Sequence, residues 1–70
     1  MLISSEDFRT RDIYIDYPFE KAKFRWEKET RKVFRRFRGE QETEISHQSD
    51  LYNQAIMAGK EISREEYFAD

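Results

Sequence analysis

Hydrophobic and polar positions first form a clear pattern just ahead of Pro18. β-Branched and aromatic residues stand together in the run Ile13-Tyr14-Ile15, and the proline ends it. Such a run is typical of a β-strand, in which Ile13 and Ile15 share one face and Tyr14 takes the other. We therefore predict a strand near 12–16.

The segment at 18–38 fits two different periods. Ala22, Phe24 and Trp26 alternate with charged residues, which is the two-residue period of a strand. The same segment also places rings and aliphatic side chains on one arc of a helix, with Pro18 in the first turn and basic residues towards the C-terminal end. The pattern alone leaves both structures open.

Backbone pairing favours the strands. A buried strand near 12–16 needs hydrogen-bonding partners for its amide and carbonyl groups. A hairpin with strands near 22–28 and 32–38 supplies those partners, so we predict that hairpin. The alternative is a mostly helical domain with one long helix at 18–38.

Capping residues indicate two helices in the C-terminal third. Ser49 is a suitable N-cap for a helix at 49–58, and we expect Gly59 to close that helix in a left-handed conformation. A second helix at 63–69 begins with the sequence Ser-Arg-Glu-Glu, which has the spacing of a capping box. Both predictions depend only on neighbouring residues.

The remaining segments have weaker patterns. Residues 1–10 predict a turn or a short cap, from which Phe8 packs on the core. The polar run at 40–45 is either a solvated edge strand or a loop. Taken together, the elements predict an α+β fold: a small antiparallel sheet followed by two short C-terminal helices.

Size and composition predict one small domain built on aromatic side chains. The 70 residues include six Phe, four Tyr and one Trp but no cysteine, so disulfides are excluded. One core of this size rarely supplies more than about 3–5 kcal/mol. We therefore predict a single domain at 1–70 that gains stability from tight packing or from a second copy of itself.

Charge is strongly segregated along the chain, although the net charge is only −2. Residues 21–38 contain nine Lys and Arg against two Glu, a net charge of +7, while residues 1–20 carry −3 and residues 39–70 carry −6. Such a field attracts an acidic surface even when the whole molecule is slightly anionic. In either fold we expect the basic side chains to form one exposed face above the rings.

This basic block predicts a small interaction or regulatory protein. We expect it to dock on an acidic protein partner or on a second copy of the chain, as a homodimer. The residues predicted to make contact are Arg25, Lys28, Arg35, Arg36 and Arg38, which supply charge, and Phe68, which supplies a ring. The alternative function is nucleic-acid binding by the same segment. The acidic pI near 5.4 disfavours that alternative.

No pattern predicts catalysis or a metal site. Ser46, His47, Ser49 and Asp50 are close in sequence, but a catalytic triad needs three groups that converge in space. One histidine and no cysteine are too few ligands for zinc. We therefore predict a non-enzymatic protein without a cofactor, a metal or a small-molecule substrate.

Hydropathy predicts no membrane segment. No stretch approaches the roughly 20 apolar residues that cross a bilayer. The first seven residues lack the basic start and the apolar run of a secretory signal. We therefore expect a cytoplasmic, soluble protein.

Overall fold

The computed structural model describes residues 5–37 and 39–69 and has an α+β fold. Within these residues, five antiparallel strands form one sheet in the order β4-β3-β2-β1-β5. The strands are β1 (Ile13–Tyr17), β2 (Ala22–Glu27), β3 (Lys32–Phe37), β4 (Thr43–Ile45) and β5 (Lys60–Ile62). The helices are α1 (Ser5–Thr10), α2 (Asp50–Ala58) and α3 (Arg64–Phe68), and a 3-10 turn at Pro18–Glu20 joins β1 to β2. In this part of the chain, no helix has the length and apolar content to cross a membrane.

The predicted hairpin is confirmed, and the alternative of a long helix at 18–38 is wrong. β2 and β3 pair with Trp26 opposite Val33. β1 lies on the other side of β2, with Ile15 opposite Phe24. Because β2 is paired along both edges, its backbone groups are satisfied inside the sheet. This pairing explains why the two-residue period prevails over the helical one.

One face of the sheet carries the main core. Its buried strand side chains, each at most 1% exposed, are Ile13, Ile15, Ala22, Phe24 and Val33. α2 packs on them with Tyr52 and Ala55, and the Tyr52 ring lies 5.7 Å from the Phe24 ring between centroids. Phe8 of α1 packs at the margin of this core, as predicted. Burying a side chain such as Phe24 stabilises the fold by about 1.5–3 kcal/mol.

The opposite face carries a smaller cluster beneath α3. Tyr67 is fully buried and packs with Tyr14 and Ile62. The predicted capping box is confirmed, because Ser63 Oγ accepts a hydrogen bond from the Glu66 amide while the Glu66 carboxylate accepts one from the Ser63 amide. These bonds fix the start of α3, and one turn later Tyr67 enters the cluster.

Gly59 differs from its prediction. α2 does end at this residue, but its φ of −82° is extended rather than left-handed. A Cβ here would lie 2.5 Å from the Ala55 carbonyl oxygen and 2.9 Å from the Asp16 carbonyl oxygen. The glycine is therefore required by close backbone approach, because β5 starts immediately after α2 and pairs with β1.

Three short elements complete the predicted architecture. The polar run at 40–45 contains the edge strand β4, whose Ile45 lies opposite Val33. β5 and α1 are additions, since Lys60–Ile62 is too short to show a period and residues 1–10 predicted only a turn or a cap. β4 and β5 form the two edges of the sheet, so β1, β2 and β3 are all interior strands.

Candidate functional site

The basic side chains of the middle segment do not form the single exposed face that was predicted. Successive residues of a strand point to opposite faces of the sheet. The register places Lys23, Arg25 and Arg36 on the face covered by α3, and Arg35 on the core face. Lys28 lies in the turn between β2 and β3. The cations therefore fall into groups with different surroundings.

Arg25 is held by carboxylates of its own chain. Its side chain is 12% exposed and donates two hydrogen bonds to Glu42, at 3.0 and 2.8 Å, and one to Glu27, at 2.7 Å. The guanidinium also lies 4.2 Å from the centroid of the Phe34 ring. Burial alone would lower the pKa of Arg25, but the hydrogen bonds and charges of Glu42 and Glu27 outweigh burial and raise it. The positive charge is thus compensated internally.

Glu42 connects this ion pair to α3. The Tyr67 hydroxyl donates a hydrogen bond to Glu42 Oε1 at 3.2 Å, beside the bond from Arg25. Burial, together with the charge of Glu42, raises the pKa of Tyr67 above its ordinary value. One carboxylate therefore joins the segment before β4, the centre of the sheet and the last helix.

Lys23 and Arg36 bind the C-terminal end of α3. Lys23 Nζ donates to the carbonyl oxygens of Glu66 and Ala69 at 2.6 and 3.0 Å, and Arg36 donates to that of Tyr67 at 3.2 Å. Cations at this end of a helix satisfy its last carbonyl groups and complement its dipole. Both side chains are thereby engaged in holding α3 on the sheet.

Arg35 lies on the core face, towards the edge formed by β4. Its guanidinium carbon is 4.7 Å from the centroid of the Phe37 ring. Arg35 Nε is buried and has no hydrogen-bond partner among the described residues. This arginine therefore packs against a ring instead of pairing with a carboxylate.

Lys28 has a different environment, at the rim of a hollow between α1 and the β2–β3 turn. We call this feature the hairpin hollow; its lining residues are Phe8, Arg9, Trp26, Lys28 and Arg31. The Phe8 and Trp26 rings meet edge to face with centroids 5.6 Å apart, and Trp26 Nε1 donates a hydrogen bond to the Phe8 carbonyl at 2.7 Å. The hollow thus combines two rings with three exposed cations.

Of the three cations that line the hairpin hollow, only Lys28 was among the residues predicted to contact a partner. Arg9 belongs to a segment without a clear period, and Arg31 lies in a turn whose geometry the alternation does not define. Trp26 was predicted as a core ring, and it does pack at the margin of the core while lining the hollow. The sequence feature that could have identified Arg31 is the predicted hairpin, because its turn brings Arg31 close to Lys28.

Phe68 and Arg38 complete the predicted contact residues. Phe68 is 44% exposed, with its ring 4.8 Å from that of Tyr67 and 5.1 Å from the guanidinium carbon of Arg64. It lines a shallow hollow together with Arg36 and Glu42. Arg38 lies outside the described residues. Partner contact by the predicted residues stays a prediction.

Two residues of the Ser-His-Asp run, Ser49 and His47, have structural roles. Ser49 Oγ accepts a hydrogen bond from the Tyr52 amide at 3.4 Å and caps α2, as predicted. His47 Nε2 lies 2.6 Å from the Arg31 carbonyl oxygen and can donate to it, and the imidazole packs edge to face on Trp26. Across residues 5–37 and 39–69, no group of three or more His, Cys, Asp or Glu could hold a metal ion.

Comparison with known proteins assigns this architecture to a class. The family model described as Tis1 immunity protein matches residues 1–70. The chain therefore belongs to the Tis1 immunity protein family. This membership supports the coarse prediction of a small interaction protein and replaces the unassigned role with that of an immunity family.

Two individual proteins resemble the chain closely. The "Immune protein Tis1" of Pseudomonas aeruginosa (strain UCBPP-PA14) is 45% identical over 64 residues, which cover 89% of this chain and 83% of that relative. A chain in the crystal structure of the complex between the Type VI effector Tas1 and its immunity protein matches with a TM-score of 0.89 and 42% identity. That match covers 96% of this chain and 91% of the other.

Proposed function

We propose that this protein is an immunity protein that binds a Tas1-like Type VI effector and blocks its toxicity. The observation that carries the proposal is the match, over 96% of the chain at 42% identity, to a chain from the complex of Tas1 with its immunity protein. The match of the family model for Tis1 immunity protein to residues 1–70 agrees with it. The proposed mechanism is stoichiometric docking in the cytoplasm, without a catalytic step.

The size of the protein is sufficient for such docking. A specific interface of standard size buries about 800 Å² on each partner. The chain exposes 4919 Å², so one interface of that size occupies roughly a sixth of its surface. The network around Glu42 holds α3 on the sheet, so the fold is ordered before a partner arrives, which lowers the entropy cost of binding.

The test uses Tas1 and the Tas1-like effector of the organism that encodes this chain. We expect co-expression with this chain to restore the growth of cells that produce the toxic region of its own effector. Light scattering of the purified mixture should give a complex of defined stoichiometry, and calorimetry should give its Kd. If the folded chain binds neither effector and restores no growth, the proposed function is wrong.

Two further measurements test the homodimer and the nucleic-acid alternative. Light scattering of the free chain over a concentration series shows whether it forms the predicted homodimer. A titration with generic DNA and RNA at low salt tests nucleic-acid binding, whose affinity should fall log-linearly with salt concentration. Strong binding there, with none to the effectors, would favour the nucleic-acid function.

A further inference from the structure

The cations of the hairpin hollow have no carboxylate partner among the described residues. Ion pairs in that part of the chain use Arg11, Arg25 and Lys32. The three cations of the hollow are exposed. None of the residues that line the hollow is acidic. This end of the sheet therefore carries positive charge that the fold itself does not use.

Of the acidic residues nearest in sequence, Glu27 and Asp12 are engaged elsewhere, whereas Glu29 is exposed in the turn and is not among the residues that line the hollow. The Glu27 carboxylate accepts hydrogen bonds from Arg25 at 2.7 Å and from Thr30 at 2.6 Å. Asp12 Oδ1 accepts a hydrogen bond from the backbone amide of Lys28 at 2.8 Å. These carboxylates fix the β2–β3 turn, and that leaves the Lys28 side chain available to a partner.

The backbone that presents the cations is held in one conformation. Arg31 has a left-handed φ of 59°, which is uncommon for a residue other than glycine. The Arg31 amide donates to the Glu27 carbonyl at 2.8 Å, and the Arg31 carbonyl oxygen lies 2.6 Å from His47 Nε2. The bond from Trp26 Nε1 to the Phe8 carbonyl fixes α1 on the other side. Such preorganisation is what a docking site requires.

We propose that the hairpin hollow receives an acidic segment of the effector protein. Arg9, Lys28 and Arg31 contact its carboxylates, and the rings of Phe8 and Trp26 provide the apolar floor. Charge complementarity identifies this occupant, because unpaired cations over aromatic rings favour carboxylates that carry an apolar stem. The inference depends on the proposed function and adds to it the location of the interface and the chemistry of the partner segment.

The experiment compares two double charge reversals at opposite ends of the sheet. Arg9→Glu with Lys28→Glu changes the hollow, whereas Lys21→Glu with Lys60→Glu makes the same change in net charge at the other end of β2, about 20 Å away. All four side chains are exposed. Binding of each variant to the chain's own Tas1-like effector is measured by calorimetry at two salt concentrations.

We expect the hollow variant to raise the Kd by at least about 30-fold and the control variant to change it by less than about 3-fold. The far-UV circular dichroism and the Tm of both variants show whether they are folded. Should the double glutamate variant fail to fold, Arg9→Gln with Lys28→Gln removes the same charges without adding acidic groups. A photo-crosslinking residue in place of Lys28 should then label an Asp- or Glu-rich peptide of the effector.

Several outcomes would overturn the inference. Equal losses in both charge reversals would mean that net charge alone controls binding. Unchanged binding by the folded hollow variant, or crosslinks to a segment without acidic residues, would place the interface elsewhere and leave the proposed function intact. If the unmodified protein does not bind the effector at all, the proposed function and this inference both fail. Binding of a 20-nucleotide DNA in the hollow instead would assign the site to phosphates.

Discussion

The two basic regions of this protein differ in what faces their cations. Under α3, Arg25 is bonded to Glu42 and Glu27 and is largely buried. In the hairpin hollow, Arg9 and Lys28 are exposed and have no ion pair among the described residues. The first region uses positive charge to attach a helix to the sheet, and the second leaves it for a partner. The number of basic residues in a segment therefore does not identify a binding face.

In the first region, the largest loss of stability is expected from removing the Tyr67 ring, which packs between α3 and the sheet. Tyr67→Ala deletes a fully buried side chain, and we expect it to lower the free energy of unfolding by about 3–5 kcal/mol, measured by urea denaturation. A domain of this size has little more stability than that, so the variant should be largely unfolded at 37 °C.

Tyr67→Phe is the matched control for that substitution. It keeps the ring in the cluster with Tyr14 and Ile62 and removes only the hydrogen bond to Glu42. We expect a loss of about 1 kcal/mol, the contribution of a typical hydrogen bond. A loss as large as that of the alanine variant would contradict the view that burial of the ring dominates.

The second test removes the carboxylate that compensates Arg25. Glu42→Ala leaves the largely buried guanidinium with Glu27 alone and deprives the Tyr67 hydroxyl of its acceptor. We expect a loss of about 2–4 kcal/mol in the free energy of unfolding, because an uncompensated buried charge is costly.

Glu44→Ala is the control for the second test. Its carboxylate lies 3.9 Å from Lys32 Nζ, and both side chains are about half exposed. Such a surface pair contributes at most about 1 kcal/mol. Equal effects of Glu42→Ala and Glu44→Ala would mean that the network around Glu42 has no special role in stability.

These contacts also show which parts of the structure the sequence could predict. The capping box at Ser63 and the N-cap at Ser49 involve residues three apart, so a local pattern is sufficient to find them. The hairpin followed from the need of one strand for a paired neighbour. These interactions are local or follow from general backbone requirements.

The candidate site was less accessible to sequence reasoning. Glu42 lies 17 residues after Arg25 in a run that predicted only an edge strand or a loop, so nothing local indicated that it would neutralise this arginine. Likewise Arg9 reaches the hollow because α1 packs beside Trp26, a tertiary contact without a periodic signal. Contacts between residues distant in sequence, which composition does not reveal, therefore decide which cations stabilise the fold and which have no ion pair among the described residues.

A third test uses pH to probe the attachment of α3. The hydrogen bonds from the amide and hydroxyl of Ser63 hold the pKa of Glu66 below its ordinary value. A carboxyl group with a lowered pKa in the folded state stabilises the fold above its ordinary pKa, and this contribution is lost as the pH falls through the folded value.

Glu66→Gln isolates this contribution, because the amide oxygen still accepts the Ser63 bond but does not titrate. We expect the original protein to lose more stability than this variant between pH 7 and pH 3, measured by thermal unfolding. Parallel curves for the two proteins would mean that ionised Glu66 contributes nothing beyond its hydrogen bond.

The smallest expected effect on stability belongs to the hairpin hollow. Lys28→Ala and Arg9→Ala each remove an exposed cation that the described residues leave without an ion pair, so the free energy of unfolding should change by no more than about 0.5 kcal/mol. The same substitutions should weaken binding of the effector. Loss of affinity without loss of stability is the property that separates a docking residue from one that holds the fold, as Glu42 does. A stability loss of about 2 kcal/mol in either variant would instead place that cation in the same structural class as Arg25.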